Sequence, residues 1–81
     1  MIGFVELSEE QEKELLNRFT YHKPIEEYNQ PQRYEGIRNT GFIMAKLIMQ
    51  SVPDSREKSI ALTKIEEAVM WANAAIARNE K

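Results

Sequence analysis

Apolar residues recur at alternating intervals of three and four along two long stretches of the chain, residues 31–50 and residues 55–78. This spacing is typical of helices that pack lengthwise against each other. The apolar positions are Tyr34, Ile37, Gly41, Met44 and Ile48 in the first stretch, and Leu62, Ile65, Val69, Ala72 and Ile76 in the second. Because only a short segment containing Pro53 separates the stretches, the pattern predicts an antiparallel helical hairpin.

A shorter helix is predicted over residues 8–19, ahead of the hairpin. Ser8 and Gln11 have the spacing of a capping box, in which each side chain binds the other residue's backbone N–H. Residues 20–30 contain Pro24 and lose the helical period, so we expect a loop there. Residues 1–7 are expected to form a small extended arm that packs through its apolar side chains, Ile2, Phe4, Val5 and Leu7.

Capping residues and glycines refine the predicted hairpin. Pro31 suits the first turn of its first helix, where a backbone N–H is not needed. Asp54 is expected to cap the second helix, with Glu57 completing a capping box. Gly36 and Gly41 fall inside the first helix, and we interpret them as positions of close packing.

These elements together predict an all-α fold: one domain over residues 1–81 in which a short N-terminal helix precedes a long antiparallel two-helix hairpin. The hairpin helices carry more apolar surface than a single hairpin can bury. The surplus comprises Phe42, Ile43, Leu47, Trp71 and an alanine stripe, Ala61, Ala68 and Ala75. A chain of 81 residues without cysteine has few other means of completing a core, so we expect a compact homo-oligomer.

Composition and charge disfavour several classes of protein. With 11 Lys and Arg against 13 Asp and Glu, the formal net charge is −2, which argues against a protein that coats DNA through phosphate contacts. The apolar runs are shorter than the roughly 20 residues of a membrane span. The first residues lack the basic start of a signal peptide, and the absence of cysteine fits a cytosolic protein.

Candidate catalytic and metal-binding groups are sparse. His22 is the only histidine, and because it lacks an orienting partner in the sequence, we expect it to anchor a loop or contact a ligand. Glu66 and Glu67 point about 100° apart on a helix and lack a histidine partner, so a solvated face is favoured over a metal site. Nucleophile motifs and glycine-rich phosphate loops are absent. We therefore expect no catalysis, no metal site and no cofactor.

Arginine and tyrosine residues offer a different chemistry. Arg33, Arg38 and Arg78 carry planar guanidinium groups that suit phosphates. Tyr21 and Tyr34 offer rings on which nucleotide bases stack. Residue type alone nevertheless favours ordinary surface salt bridges for each arginine.

Three segments resemble the phage anti-CBASS sponge family, which shares a helical hairpin domain with the Thoeris anti-defence sponges. The longest covers residues 55–78 and is similar to the family's signature helix, with the sequence SREKSIALTKIEEAVMWANAAIAR. Two shorter segments agree in order: Phe19-Thr20-Tyr21-His22-x-Pro24 and Arg33-Tyr34-Glu35-x-Ile37-Arg38. Together the three segments cover most of the chain from Phe19 onward.

The resemblance implies a non-enzymatic sponge. Such proteins bind cyclic oligonucleotide messengers such as 3′,3′-cGAMP without cleaving them, and so block CBASS effector activation in the cytoplasm of the infected bacterial host. Anti-CBASS members are hexamers that bind cyclic dinucleotides between protomers and cyclic trinucleotides in separate pockets. The resemblance therefore implies a hexamer with cyclic di- and trinucleotides as partners, and neither a DNA nor a membrane partner.

The resemblance also implies individual site residues. Tyr21 is similar to the family's base-stacking tyrosine, and Arg38 occupies the position of a cationic phosphate contact. The implied dinucleotide contacts are Tyr21, Arg38, His22 and Arg33, and the implied trinucleotide contacts are Thr40 and Arg78. Trp71 also matches the family's signature helix, but its size favours a packing role.

Two alternatives remain open. One is a sponge for cyclic ADP-ribose isomers, as in the Thoeris branch, although its members normally carry an added β-rich domain for which this chain leaves no room. The other is a helical protein–protein interaction module that uses the surplus apolar faces and binds no nucleotide. A sequence-specific DNA binder is disfavoured because the chain has no basic recognition helix.

Overall fold

Three α-helices and one turn of 3₁₀-helix make up the part of the chain that the computed structural model describes, which is residue 3 and residues 5–80. Helix α1 spans Glu9–Phe19, α2 spans Gln30–Ser51 and α3 spans Arg56–Asn79, while the 3₁₀ turn spans Glu26–Tyr28. These residues contain no strand, so the prediction of an all-helical fold is confirmed. Of the predicted N-terminal arm, Ile2 and Phe4 lie outside the described residues, and Val5 and Leu7 are exposed.

A capping box begins α1. The Ser8 hydroxyl accepts a hydrogen bond from the Gln11 backbone N–H at 3.1 Å, and the Ser8 N–H donates to the Gln11 side-chain oxygen at 2.9 Å. Two donors that the first helical turn leaves without partners are thereby satisfied. The helix starts at Glu9 for this local reason, although none of its residues is buried.

The segment between α1 and α2 is more regular than the predicted loop. Residues Glu26–Tyr28 form a 3₁₀ turn, which the Asn29 N–H closes by donating to the Glu26 carbonyl at 2.9 Å. Asn29 then adopts a left-handed conformation (φ 56°), and α2 begins at Gln30, one residue earlier than predicted. The loop prediction is wrong for these three residues because so short a turn leaves no apolar periodicity in the sequence.

Ser55, and not the predicted Asp54, caps α3. The Ser55 hydroxyl accepts from the Lys58 backbone N–H at 3.1 Å, whereas the Asp54 carboxylate pairs with the Lys58 ammonium at 2.9 Å. That hydrogen bond lowers the pKa of Asp54. The same ammonium donates to the Met49 carbonyl at 3.0 Å, so Lys58 ties the end of α2 to the start of α3.

The two glycines of α2 differ in their surroundings. A Cβ atom at Gly41 would lie 2.5 Å from Cγ2 of Val69 on α3, so the absence of a side chain at Gly41 permits the close approach of the two helices. A Cβ atom at Gly36 would meet nothing within 4 Å. The interpretation as a close-packing position therefore agrees with the structure at Gly41 and is wrong within the described chain at Gly36.

This difference makes the two glycines a matched pair for mutation. Gly41→Ala is expected to lower the free energy of unfolding by about 1–2 kcal/mol, because the new methyl group overlaps a stiff β-branched side chain. Gly36→Ala is expected to raise it by about 0.5–1 kcal/mol, because alanine favours the helix over glycine. Chemical denaturation followed by circular dichroism measures both. Equal stabilities of the two variants would contradict the close approach at Gly41.

A single chain encloses almost no core. Among the described residues, only Ile76 is a buried apolar residue, at 9% exposure. The chain measures 52 × 45 × 13 Å with a radius of gyration of 17.9 Å, against about 12 Å for a compact domain of this length. Its accessible surface of 7132 Å² exceeds the roughly 5,000 Å² of a compact monomer of this mass. The flat shape leaves most of the apolar surplus of the hairpin exposed, including Phe42, Ile43, Leu47 and Trp71.

Candidate ligand-binding site

Two concavities open on either side of the seam between α2 and α3. A groove of about 690 Å³ contains Arg33 and Thr40 among mostly apolar side chains. A second cavity of about 520 Å³ contains Arg38 and Phe42. Gly41 of α2 and Val69 of α3 line both concavities, so the seam between the two helices separates the groove from the second cavity. Because Arg38 and Thr40 are two residues apart, they lie about 200° apart around α2 and face different concavities.

A third concavity, which we call the loop pocket, lies where the segment after α1 meets the end of α3. It has a volume of about 350 Å³. Its lining residues are Tyr21, His22, Lys23, Ile25, Gln30, Ala77 and Glu80. The structure therefore brings Tyr21 and His22 together, with Tyr21 largely exposed at the rim. Neither Arg38 nor Thr40 lines this pocket, so the sequence-predicted site residues are spread over three surfaces of one chain.

His22 fastens the loop pocket to α1. Its Nε2 atom lies 2.7 Å from the Asn17 carbonyl oxygen. Because a carbonyl can only accept, this geometry assigns the proton to Nε2. The Asn17 side-chain amide in turn donates to the Arg78 carbonyl at 3.2 Å. The histidine thus anchors the loop, and α1 and α3 are joined at their C-terminal ends.

A polar cluster of Arg33, Glu80 and Gln30 closes the loop pocket. Two guanidinium nitrogens of Arg33 each donate to a different oxygen of Glu80 at 2.8 Å. Gln30, only 1% exposed, donates to Glu80 at 3.1 Å and accepts from the Ile25 N–H at 2.8 Å. The bonds from Arg33, and secondarily from Gln30, lower the pKa of Glu80, and the Glu80 bond raises the pKa of Arg33. Both groups are therefore charged at neutral pH.

Arg38 stands apart from that cluster. Its guanidinium has no hydrogen-bond or ion-pair partner among residues 5–80. It shares its cavity with Asn39, Phe42 and Glu66. A cation without a partner among these residues can bind an anion without first breaking a contact, and the Glu66 carboxylate in the same cavity is the negative charge with which such an anion would compete.

The two implied trinucleotide contacts, Thr40 and Arg78, have different surroundings in the single chain. The Thr40 hydroxyl donates to the Gly36 carbonyl at 2.9 Å and lines the apolar groove. The Arg78 guanidinium lies 6.0 Å from the centre of the Trp71 ring, a cation–π arrangement. Trp71 is 64% exposed, so the expected packing of this ring does not occur within the chain.

Sequence reasoning missed Gln30 and Glu80. Gln30 and Glu80 are joined across 50 positions of sequence, and no local pattern indicates such a contact. Lys23 lies next to His22 in a segment rich in polar and aromatic residues, and it lines the loop pocket. In the described part of the chain, no group of three or more His, Cys, Asp or Glu side chains is arranged to hold a metal ion. None of the described helices combines the length and hydropathy that crossing a membrane requires.

Comparison with known proteins identifies a family that this chain resembles. A family model described as the Acb2/Tad1 hairpin domain matches residues 11–77. The match runs from the third residue of α1 to two residues before the end of α3, so it includes most of α1 and α3, all of α2 and the segment between α1 and α2. Comparison with curated proteins and with solved structures gives no significant match.

Proposed function

Because the chain belongs to the Acb2/Tad1 hairpin-domain family, whose members are anti-defence sponges, we propose that it sequesters cyclic oligonucleotide immune messengers without cleaving them. The family match over residues 11–77 carries this proposal. It is supported by the exposed Tyr21 ring and by the Arg38 guanidinium, which is unpaired among residues 5–80. Stacking surfaces and cations are what a nucleotide with phosphate groups requires. Members of the family are known as binding proteins and not as enzymes.

The cyclic dinucleotide site forms between protomers. A cyclic dinucleotide such as 3′,3′-cGAMP presents two bases and two phosphates in a nearly twofold arrangement. One chain offers a single Tyr21, and its Arg38 lines a different concavity. A symmetric interface presents each side chain twice, in opposed pairs that match the ligand. The exposed apolar faces of the hairpin support assembly. A hexamer contains twofold interfaces for the dinucleotide sites and threefold axes near which trinucleotide pockets can form.

Cyclic trinucleotides occupy separate pockets that contain Thr40 and Arg78. The position of Thr40 on the opposite side of the seam from Arg38 supports this separation, because one small ligand cannot contact both within a chain. Arg33 and His22 complete the dinucleotide site beside Tyr21. By withholding the messenger, the protein blocks activation of CBASS effectors in the cytoplasm of the infected bacterial host.

A panel of thermal shifts tests this proposal against its alternatives. A ligand at about 100 times its Kd stabilises the folded state by about 2.7 kcal/mol, which raises the Tm of a domain of this size by about 10 °C or more. We expect such a shift with cyclic dinucleotides and a shift with cyclic tri-adenylate, but none with linear dinucleotides or ATP.

The other outcomes of the panel select the competing functions. The matching family model covers both the anti-CBASS and the anti-Thoeris branch, so cyclic ADP-ribose isomers belong in the panel. A shift with these isomers alone would identify an anti-Thoeris sponge. The absence of any shift would favour a helical interaction module that uses the exposed apolar faces.

A further inference from the structure

The loop pocket contains a carboxylate that opposes the binding of an anionic ligand. Glu80 and Lys23 are its two charged lining residues, and His22 is held by Asn17. A phosphate group brought beside Tyr21 would therefore face the negative charge of Glu80. The partner of that carboxylate, Arg33, lines the apolar groove instead. The Arg33–Glu80 pair thus separates the loop pocket from the groove.

The geometry of the pair suits an exchange of anions. The Arg33 guanidinium holds the two Glu80 oxygens in a fork, with both distances at 2.8 Å. A phosphate presents two oxygens to a guanidinium in the same manner. The side chains of Arg33 and Glu80 remain 45% and 30% exposed, and ion pairs at such exposure contribute little stability. A phosphate can therefore replace the carboxylate without unfolding the loop.

The position of Glu80 makes its carboxylate the weaker of the two competing anions. Glu80 is the C-cap residue of α3, where the partial negative charge of the helix end disfavours an anion. Apart from Arg33, its side-chain oxygens have only the Gln30 amide as a hydrogen-bond partner within residues 5–80. The buried Gln30 amide stays in place because its oxygen binds the Ile25 N–H. Displaced Glu80 would keep that one bond or turn toward solvent.

We propose that Arg33 is a phosphate-binding group of the Tyr21 site, and that the Glu80 carboxylate occupies it until the phosphate of a cyclic nucleotide displaces it. This inference rests on the proposed function, and it adds that the chain's own Glu80 carboxylate competes with the ligand phosphate for Arg33. The opposite role for Glu80 is purely positional: it would hold Arg33, Gln30 and the loop in a binding geometry. The two roles predict opposite effects when the charge of Glu80 is removed.

Glu80→Gln, measured by calorimetric titration with 3′,3′-cGAMP, distinguishes these roles. Without the competing carboxylate, the Kd is expected to fall by about 2- to 5-fold, the range that an exposed ion pair contributes. Arg33→Gln is expected to raise the Kd by about 10-fold or more, because a charge-assisted phosphate contact is lost. Asp54→Asn is the matched control: it breaks another partly exposed pair, with Lys58 at the turn of the hairpin, and is expected to leave the Kd unchanged.

A second measurement uses the unmodified protein and does not depend on the folding of a variant. Carboxyl resonances of Glu80 followed against pH give its pKa, which Arg33 holds below the ordinary value in the free chain. Displacement predicts that this pKa rises when 3′,3′-cGAMP is bound, because the bond from Arg33 is the largest cause of its lowering. A pKa that stays low on binding would overturn the inference.

The outcomes separate this inference from the proposed function. Binding by the unmodified chain with unchanged or weakened binding by Glu80→Gln would overturn the displacement of Glu80 and leave the sponge function intact. Failure of the unmodified chain to bind any cyclic nucleotide would overturn both.

Discussion

The double variant Ile43→Glu/Leu47→Glu is expected to be a monomer of 9.5 kDa that retains no cyclic dinucleotide. Ile43 and Leu47 lie one helical turn apart on α2, and in the single chain they are 66% and 61% exposed. Their replacement therefore costs the isolated chain little. In an assembled particle the same glutamates would enter an apolar contact, where each unpaired charge costs several kcal/mol.

Light scattering coupled to size exclusion measures the mass of this variant, and titration with 3′,3′-cGAMP measures its binding. Ser59→Glu/Thr63→Glu is the matched control, since it adds two charges at the same spacing to exposed polar positions on α3. The control is expected to keep both the mass and the affinity of the unmodified protein. A double variant that binds the ligand as a monomer would contradict a site built between protomers.

Tyr21→Ala is expected to weaken capture of a cyclic dinucleotide by about 5- to 150-fold while leaving the mass of the particle unchanged. Stacking of one base on an aromatic side chain contributes about 1–3 kcal/mol, which corresponds to this range. Tyr21 is largely exposed in the chain, so its truncation removes little packing. Tyr21→Phe keeps the stacking ring and is expected to bind within a few-fold of the unmodified protein.

Arg38→Gln tests the guanidinium proposed to bind phosphate in the dinucleotide site. Its affinity for the cyclic dinucleotide is measured by the same titration as that of Tyr21→Ala. Loss of the guanidinium is expected to weaken dinucleotide binding by about 10-fold or more, and Arg38→Lys is expected to restore part of it. Cyclic tri-adenylate binding is expected to survive both Tyr21→Ala and Arg38→Gln. Loss of both ligands in either variant would contradict separate di- and trinucleotide sites.

The helices could be predicted from the sequence because they depend on local signals. Apolar periodicity places α2 and α3 within one or two residues of their observed ends, and side-chain to backbone bonds at Ser8 and Gln11 start α1. The prediction of Asp54 as the cap of α3 was wrong because Ser55, which follows it, is also a residue type that caps helices. Lys58 decides between them, since its ammonium binds Asp54 while its backbone N–H binds Ser55.

The candidate site could be predicted only in part. Tyr21 and His22 share the loop pocket because they are adjacent in sequence. The Arg33–Glu80 pair and the buried Gln30 depend on contacts across nearly 50 positions, which hydrophobic patterning does not encode. The relation of Arg38 to Tyr21, and of Thr40 to Arg78, depends on the proposed contacts between chains. Neither the sequence nor a single chain specifies these distances.

The proposed assembly would combine folding and binding in one surface of a small chain. Its flat hairpin buries one apolar residue among those described and leaves several large ones exposed. Assembly would cover these faces and, at the same interfaces, bring together cations and rings that lie apart in the single chain. Slow release would then follow from burial of the ligand between protomers, and a sequestering protein needs slow release rather than turnover.

Recovery of the bound ligand is the most direct test of sequestration without cleavage. The protein is incubated with 3′,3′-cGAMP, separated from free ligand by gel filtration and then denatured, and the released nucleotide is identified by mass spectrometry. The ligand is expected to travel with the protein at a fixed molar ratio and to be recovered chemically intact. Recovery of a linear or otherwise altered nucleotide would make the protein an enzyme, and the absence of bound ligand would contradict sequestration itself.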